Sequence, residues 1–264
     1  MHRFSANLST LFQHLPVRER FRAASDAGFD AVEIWFPYDI PAVDMRELLQ
    51  ANHLQCVGIN SPAGDVAEGD WGLALDPDRR NAFADSVTQA MRYAEAIGCP
   101  CVHVMAGNRV PGQSDAQAWQ LYAGNIAAAC VIARGFGRQV LVEPLNAVDR
   151  PQYFLSRQDQ AIALIDELQQ DNLGLMLDLF HLQRGEGNLI ERLRKSLPYA
   201  FHVQIADVPG RHEPGTGEIR FDFVFAELER LGYTGWIGCE YLPLADTAAG
   251  LGWRDAYADR REHA

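Results

Sequence analysis

The stretch ARGFGRQVLVEPLN, residues 133–146, decides how the rest of the chain is read. It carries a helical segment through Gly135 and Gly137 into a short apolar run, Gln139 to Val142, which ends on a carboxylate, Glu143. Glycine is expected just past a helix C-terminus, where φ turns positive. A short apolar run bounded by turn signals reads as a buried strand. A charge placed straight after such a strand needs a partner or a task, because burying it unpaired is too costly.

The same phrase recurs. AASDAGF (residues 23–29) leads into AVEIWF from Ala31, AEAIGCP (94–100) into CVHVMAG from Cys101, and ERLGYTG (229–235) into WIGCEYL from Trp236. Two more strands lack the glycine, LGLMLDLFH from Leu173 and YAFHVQIAD from Tyr199, and RFSANLS from Arg3 with QCVGIN from Gln55 completes a set of eight. The segments between them have helical period. From Arg79 to Ile97, the residues Phe83, Val87, Ala90, Met91, Ala94 and Ile97 share one face at spacings of three and four. Ser156 followed by Asp159 resembles a variant capping box ahead of AIALIDEL (161–168). Strands alternating with helices imply parallel pairing and right-handed crossovers. Eight such units predict an α/β fold of the (β/α)8 TIM-barrel type. The competing open, doubly wound sheet lacks its marks: no GxGxxG follows the first strand and there is no P-loop. A chain of 264 residues without a Pro- or Ser-rich linker is expected to form a single barrel domain over residues 1–264.

A hydrophobic content of 48% and a charged content of 22% are those of an ordinary globular chain. The net charge of −12 argues against nucleic acid or an anionic membrane as partner, since both need a positive surface. It leaves room for a small anion, which a local group of arginines can hold. The five cysteines, Cys56, Cys99, Cys101, Cys130 and Cys239, show no metal-ligand or CxxC spacing. They are expected to be reduced, buried thiols of a cytoplasmic protein. The start, MHRFSANLST, has no apolar core of a signal peptide. No run approaches the ~18 apolar residues of a membrane span.

The chemistry is expected where strands end. Glu143 ends VLVE, Asp178 ends GLMLD, Gln204 follows HV, and Glu240 follows IGC. In a barrel, inward-facing residues at the carboxyl ends of strands line the site. Four polar residues at the ends of four successive apolar strands would converge there. Each carboxylate could instead be satisfied separately by a salt bridge or a helix N-terminus, but the regular placement argues otherwise. Three gathered carboxylates repel and call for a cation. All-oxygen ligands favour a hard divalent ion, Mg2+ or Mn2+, over Zn2+. His181, three residues past Asp178, could bond a substrate oxygen or be purely structural. Arg211, in the loop PGRHEPGTGE (209–218), could hold a carboxylate through a forked pair of bonds or lie exposed. Glu33 could hold substrate or a neighbouring loop. His103 and Asn7 read as core or supporting polar groups, and Trp35, Phe36 and Trp71 as walls or plain packing. A second charged, glycine-rich loop, SPAGDVAEGDWG (61–72), follows the third strand.

These residues carry a resemblance. RFSANLS, FPYD from Phe36, PAGD from Pro62, VHVMAG from Val102, VEP from Val142, HVQIADVPGRHEPGTGEI from His202, and GCEY from Gly238 with GLGW from Gly250 resemble the hydroxypyruvate isomerase family of xylose isomerase-like barrels. The likeness runs from about residue 3 to 254, and the RHEPGTGEI and GCEY segments are its specific part. It implies interconversion of hydroxypyruvate and tartronate semialdehyde, with Glu143 and Glu240 as proton donor and acceptor. Related ketose 3-epimerases imply a divalent metal on Glu143, Asp178, Gln204 (a His there) and Glu240, with substrate oxygens on His181 and Arg211. One departure bears on the substrate. The family usually has Lys two residues after the last Glu, where this chain has Leu242. Either Arg211 or Arg109 takes the place of that cation, or the substrate is a longer or less charged sugar derivative. The competing activities are isomerisation or 3-epimerisation of a related ketose or 2-oxo sugar acid such as 2-oxo-tetronate, abasic-site DNA cleavage, and a binding barrel without activity. The expected partner is a small hydroxy-carbonyl compound, with no nucleic acid or membrane, for the chain alone or as a homo-oligomer.

Overall fold

The computed structural model describes residues 2–257. Its elements run β1 Arg3–Asn7, α1 Val17–Asp26, β2 Ala31–Ile34, α2 Ala42–Ala51, β3 Gln55–Asn60, α3 Arg80–Ile97, β4 Cys101–His103, α4 Asp115–Gly135, β5 Gln139–Val142, α5 Gln158–Leu168, β6 Leu173–Asp178, α6 Leu179–Glu186, α7 Leu189–Ser196, β7 Ala200–Ile205, α8 Phe221–Arg230 and β8 Trp236–Cys239. The strands pair in sequence order and all in parallel, and β8 returns to β1. The expected (β/α)8 barrel is the fold. All eight strands lie where the sequence placed them.

The local signals work as physical chemistry predicts. Gly98 ends α3 at φ +75°, and Gly28, Gly137 and Gly232 adopt the same left-handed turn before their strands. The start of α5 differs from expectation. Its capping is done by Gln160, whose Oε1 accepts from the backbone N–H groups of Ser156 and Arg157 at 3.0 and 3.1 Å. Arg157, not Ser156, stands at the N-cap, and Asp159 is turned instead to Lys195. A Ser/Gln capping box does start α4, between Ser114 and Gln117.

The core has two parts. Val140, Val142, Leu175, Leu177, Val203 and Ile237 are fully buried and belong to the large cluster between barrel and helices. Cys101, Leu141 and Met176 form a second, small cluster with Phe201 packed on it. Each stands two residues before His103, Glu143 and Asp178 respectively. Side chains two apart share a face of a strand, so this cluster is the apolar floor one layer below those polar residues. Gly174, two residues below Met176, leaves the space taken by the Phe201 ring. Among the described residues, no helix is long and apolar enough to cross a membrane. All five cysteines are free and buried.

Gly238 has a comparable role nearer the mouth, where a Cβ would overlap the Glu33 carboxylate and the Gln204 side chain. Glu33 is pinned by its own hydrogen bonds and cannot simply swing away. Gly238→Ala is therefore expected to cost about 1–3 kcal/mol through overpacking. At roughly 2–4 °C per kcal/mol for a chain of this size, the melting temperature should fall several degrees. Gly124→Ala in α4, where a Cβ meets nothing within 4 Å, should instead raise it slightly. Thermal melts of the two variants check this.

Candidate active site

Glu143 directly follows β5, Asp178 closes β6, Gln204 lies in β7, and Glu240 directly follows β8. All four are buried, and they meet at the carboxyl-end mouth of the barrel. Glu143 and Glu240, with His103, His181, Arg211, Trp35 and other residues, line a cleft of about 610 Å³.

Glu240 is the best-held group. Its Oε2 accepts from Asn7 Nδ2 (2.8 Å), Gln204 Nε2 (2.8 Å) and Trp35 Nε1 (3.0 Å), while Arg211 donates to Oε1. Asn7 and Trp35, read from sequence as supporting or wall residues, are thus what orients this carboxylate. Asp178 divides its oxygens. Oδ1 caps α6 by accepting from Phe180 N (2.7 Å) and His181 N (3.4 Å). Oδ2 has no hydrogen-bond partner and lies 3.5 Å from the Arg211 guanidinium. Glu143 Oε2 is 3.3 Å from His103 Nδ1, and its Oε1 is 3.9 Å from His181 Nε2.

Glu33 is not a cleft residue. It lies below Gln204, where its carboxylate accepts from Ser5 Oγ (2.5 Å) and Gln204 Nε2 (2.7 Å), 3.1 Å from His202 Nε2. Burial opposes its ionisation, but His202, Ser5 and Gln204 outweigh that and hold its pKa below the usual value. With its amide nitrogen committed to Glu33 and Glu240, Gln204 is left with Oε1 buried and unpartnered.

The electrostatics follow from one shortage. Burial and the charges of Glu240 and Asp178 push Glu143 well above the ordinary carboxylate range. Burial raises Glu240 to about 7, with Arg211 opposing and Asp178 adding to the shift. Burial raises Asp178 too, against the pull of Arg211. Arg211 stays charged: burial disfavours its charge, but Glu240, Asp178 and Glu143 outweigh that. A single guanidinium faces three carboxylates, and the missing charge is a proton or a bound cation.

The two histidines that line the cleft, His103 and His181, are neutral. Burial lowers His103 to about 3 and His181 well below its usual value. The backbone N–H of Asn146 donates to His181 Nδ1 at 3.2 Å. That leaves the ring proton on Nε2, which lies 3.8 Å from Asp178 Oδ2 as well as near Glu143. His181 is therefore set up as a hydrogen-bond donor into the cleft. Its Nε2 also falls with oxygens of Glu143 and Asp178 in one buried group, within 4.8 Å of one another, that could hold a metal ion. The fit to a hard cation rests on the unpaired Asp178 Oδ2, the unpaired Gln204 Oε1 and the under-compensated Glu143. Glu240, the fourth expected ligand, is occupied by Arg211, which stands as the site's cation.

Residues 21–257 match the sequence profile described as xylose isomerase-like TIM barrel. The chain belongs to that family. It is 40% identical over 261 residues to the 2-oxo-tetronate isomerase of Pectobacterium atrosepticum, covering 99% of this chain and 100% of the relative. It is also 40% identical to the hydroxypyruvate isomerase of Escherichia coli, over 97% of this chain and all of that one. Among solved structures, a Brucella melitensis protein described as an AP endonuclease of family 2 superposes with a TM-score of 0.95 at 40% identity, over 98% of this chain and 100% of that one. The chain is thus an isomerase-type enzyme of the xylose isomerase-like barrels.

Two positions that bear on substrate charge lie outside the cleft. Leu242 is 49% exposed and does not line it. Arg109 is paired with Asp115 outside it. Sequence reading also missed Asp207. Its Oδ1 accepts from Val208 N and Ile219 N and its Oδ2 from Gly215 N and Gly217 N, all within 3.0 Å, which ties down the loop that carries Arg211. The only hint was a carboxylate closing the run HVQIAD.

The raised carboxylates fix a sign for stability against pH. A carboxyl whose folded pKa is raised binds its proton more tightly when folded, so it stabilises the fold fully below the unfolded value near 4.5. For Glu240 that contribution is lost as pH rises through about 7. Glu33 has the opposite sign, but its contribution changes only below the unfolded value. Protein freed of metal by chelation is therefore expected to melt at a lower temperature at pH 8 than at pH 5.5. Glu240→Gln should flatten that difference, as calorimetric scans across this range would reveal.

Proposed function

We propose that this enzyme interconverts hydroxypyruvate and tartronate semialdehyde, an α-hydroxy carbonyl acid pair, by proton transfer through an enediolate. The observation that carries the reading is the pair of buried carboxylates in one cleft, Glu143 pushed up by burial and by the charges of Glu240 and Asp178, and Glu240 raised by burial to about 7. A carboxylate with a pKa near the working pH can both take and return a proton. One glutamate removes a proton from the hydroxymethyl carbon next to the carbonyl, and the C–H electrons form the enediolate double bond. The other returns a proton to the former carbonyl carbon. The hydroxyl proton moves to the old carbonyl oxygen and the hydroxymethyl carbon becomes the aldehyde. His181 donates its Nε2 proton to a substrate oxygen, and Arg211 balances the charge that develops there. A divalent ion, Mg2+ or Mn2+, would be held by Glu143, Asp178 and Gln204, joined by Glu240 only if Arg211 gives up its Oε1, and would supply Lewis-acid polarisation of the substrate oxygens.

The four-carbon acid 2-oxo-tetronate is the second reading. A cleft of about 610 Å³ leaves room beyond a three-carbon acid, and the Pectobacterium relative carries that name over its full length. Cleavage of abasic DNA is not favoured. The net charge is −12, and among the described residues the one group able to hold a metal has three members.

NMR in D2O with each acid tests the proposal. Deuterium should enter at the carbon beside the carbonyl. Glu143→Gln and Glu240→Gln should each lower kcat by about 100-fold or more. Exhaustive chelation should abolish turnover, and Mn2+ should restore it. Full activity in either variant would contradict the two-carboxylate scheme.

A further inference from the structure

The cleft holds three arginines, and their charges are not equally spent. Arg211 is taken up by Glu240 and Asp178. Arg184 donates through Nε to Asp149 Oδ1 at 2.9 Å and reaches the Pro209 carbonyl at 3.3 Å. Arg150 has no ion-pair or hydrogen-bond partner for its guanidinium among the described residues. Asp149 lies within its field, but the two oxygens of that carboxylate are used by Arg184 and by Asn146 Nδ2. The Arg150 charge nevertheless acts on the site, since it bears on His181, and it stands in the same field as Arg211.

Arg150 is also held in place. Its guanidinium lies 3.6 Å from the centroid of the Trp71 ring, and both residues line the cleft. Its backbone N–H donates to Asn146 O at 3.0 Å. Trp71 is fixed by its neighbour Gly72, which sits at φ +122° so close to the Met105 carbonyl and Gly107 that no Cβ would fit. A guanidinium resting on an indole face keeps its edge N–H groups free, and that edge suits the forked geometry of a carboxylate.

We infer that Arg150, on its Trp71 platform, is the specificity-determining residue that holds the substrate's carboxylate and so restricts this site to acids rather than neutral ketoses. The inference rests on the proposed isomerisation and names the group that recognises the acid. It takes the role that sequence reading looked for at position 242, at Arg109 or at Arg211.

The test compares the wild type with Arg150→Gln and Arg150→Lys. KM and kcat are measured for hydroxypyruvate and 2-oxo-tetronate. The Ki of erythrulose, which has the skeleton of the second acid with a hydroxymethyl in place of its carboxylate, is measured as a competitor. Loss of a charge-assisted bond predicts a KM for the acid raised about 10- to 100-fold in Arg150→Gln, with kcat falling less. The erythrulose Ki should move far less than that KM, and Arg150→Lys should recover part of the affinity. An unchanged KM for the acid would overturn the inference, as would KM and Ki rising together. If the wild type turns over neither acid, the proposed reaction fails. The Arg150 inference is then judged by calorimetric binding of tartronate, a non-reacting hydroxy dicarboxylate. Binding that weakens at least tenfold in Arg150→Gln supports it, and equal or absent binding refutes it.

Discussion

Glu143, Asp178 and Glu240 are buried at one end of a closed barrel against a single guanidinium, that of Arg211. Such a group of like charges is unstable in a medium that screens poorly, and the surrounding structure deals with it piece by piece. Three uncharged donors hold one oxygen of Glu240. The N-terminus of α6 takes one oxygen of Asp178. What remains falls on Glu143, which has no donor comparable to those on Glu240. The floor of Cys101, Leu141 and Met176 beneath sharpens the problem, because it keeps solvent from the underside. A site that stores this imbalance can handle protons near neutral pH and welcomes a cation.

The loops serve the same end. Asp207 gathers four backbone N–H groups and fixes the turn in which Arg211 adopts φ +56°, a conformation that a side chain of its size rarely takes. Gly217 belongs to that arrangement, because a Cβ there would run into the Val208 carbonyl. The glycine-rich segment after β7 is thus a rigid mount for one guanidinium. On the opposite rim the contact between Gly72 and the Met105–Gly107 segment steadies Trp71. Arg211 and Trp71 are held by loops, and the loops are held by buried polar bonds and close backbone approaches.

The barrel was legible because its signals are local: apolar runs of strand length, glycines at helix ends and helical period between them. Glu143, Asp178, Gln204 and Glu240 were legible because each interrupts an apolar strand at the same end. What stayed hidden depends on contacts far apart in sequence. That Glu33 belongs beneath Gln204 needs β2 and β7 brought together in space. The proton position on His181 is set by Asn146, 35 residues earlier. Arg150 carries no mark in the sequence, because the Trp71 ring beneath it comes from a different loop. The cap of α5 was misread for a simpler reason. Gln160 reaches back to the Ser156 N–H that Asp159 was expected to serve, and sequence spacing alone does not rank the two.

The account stands on the claim that the charge shortage at Glu143, Asp178 and Glu240 is met by a proton in the metal-free protein and by a divalent cation when one binds. Calorimetric titration of Mn2+ into the chelator-stripped enzyme, at pH 7 in buffers of different ionisation enthalpy, measures both at once. The account predicts saturable binding with release of about one proton per ion, and loss of that release in Glu143→Gln. Absence of saturable binding, or binding with no proton release, would contradict it.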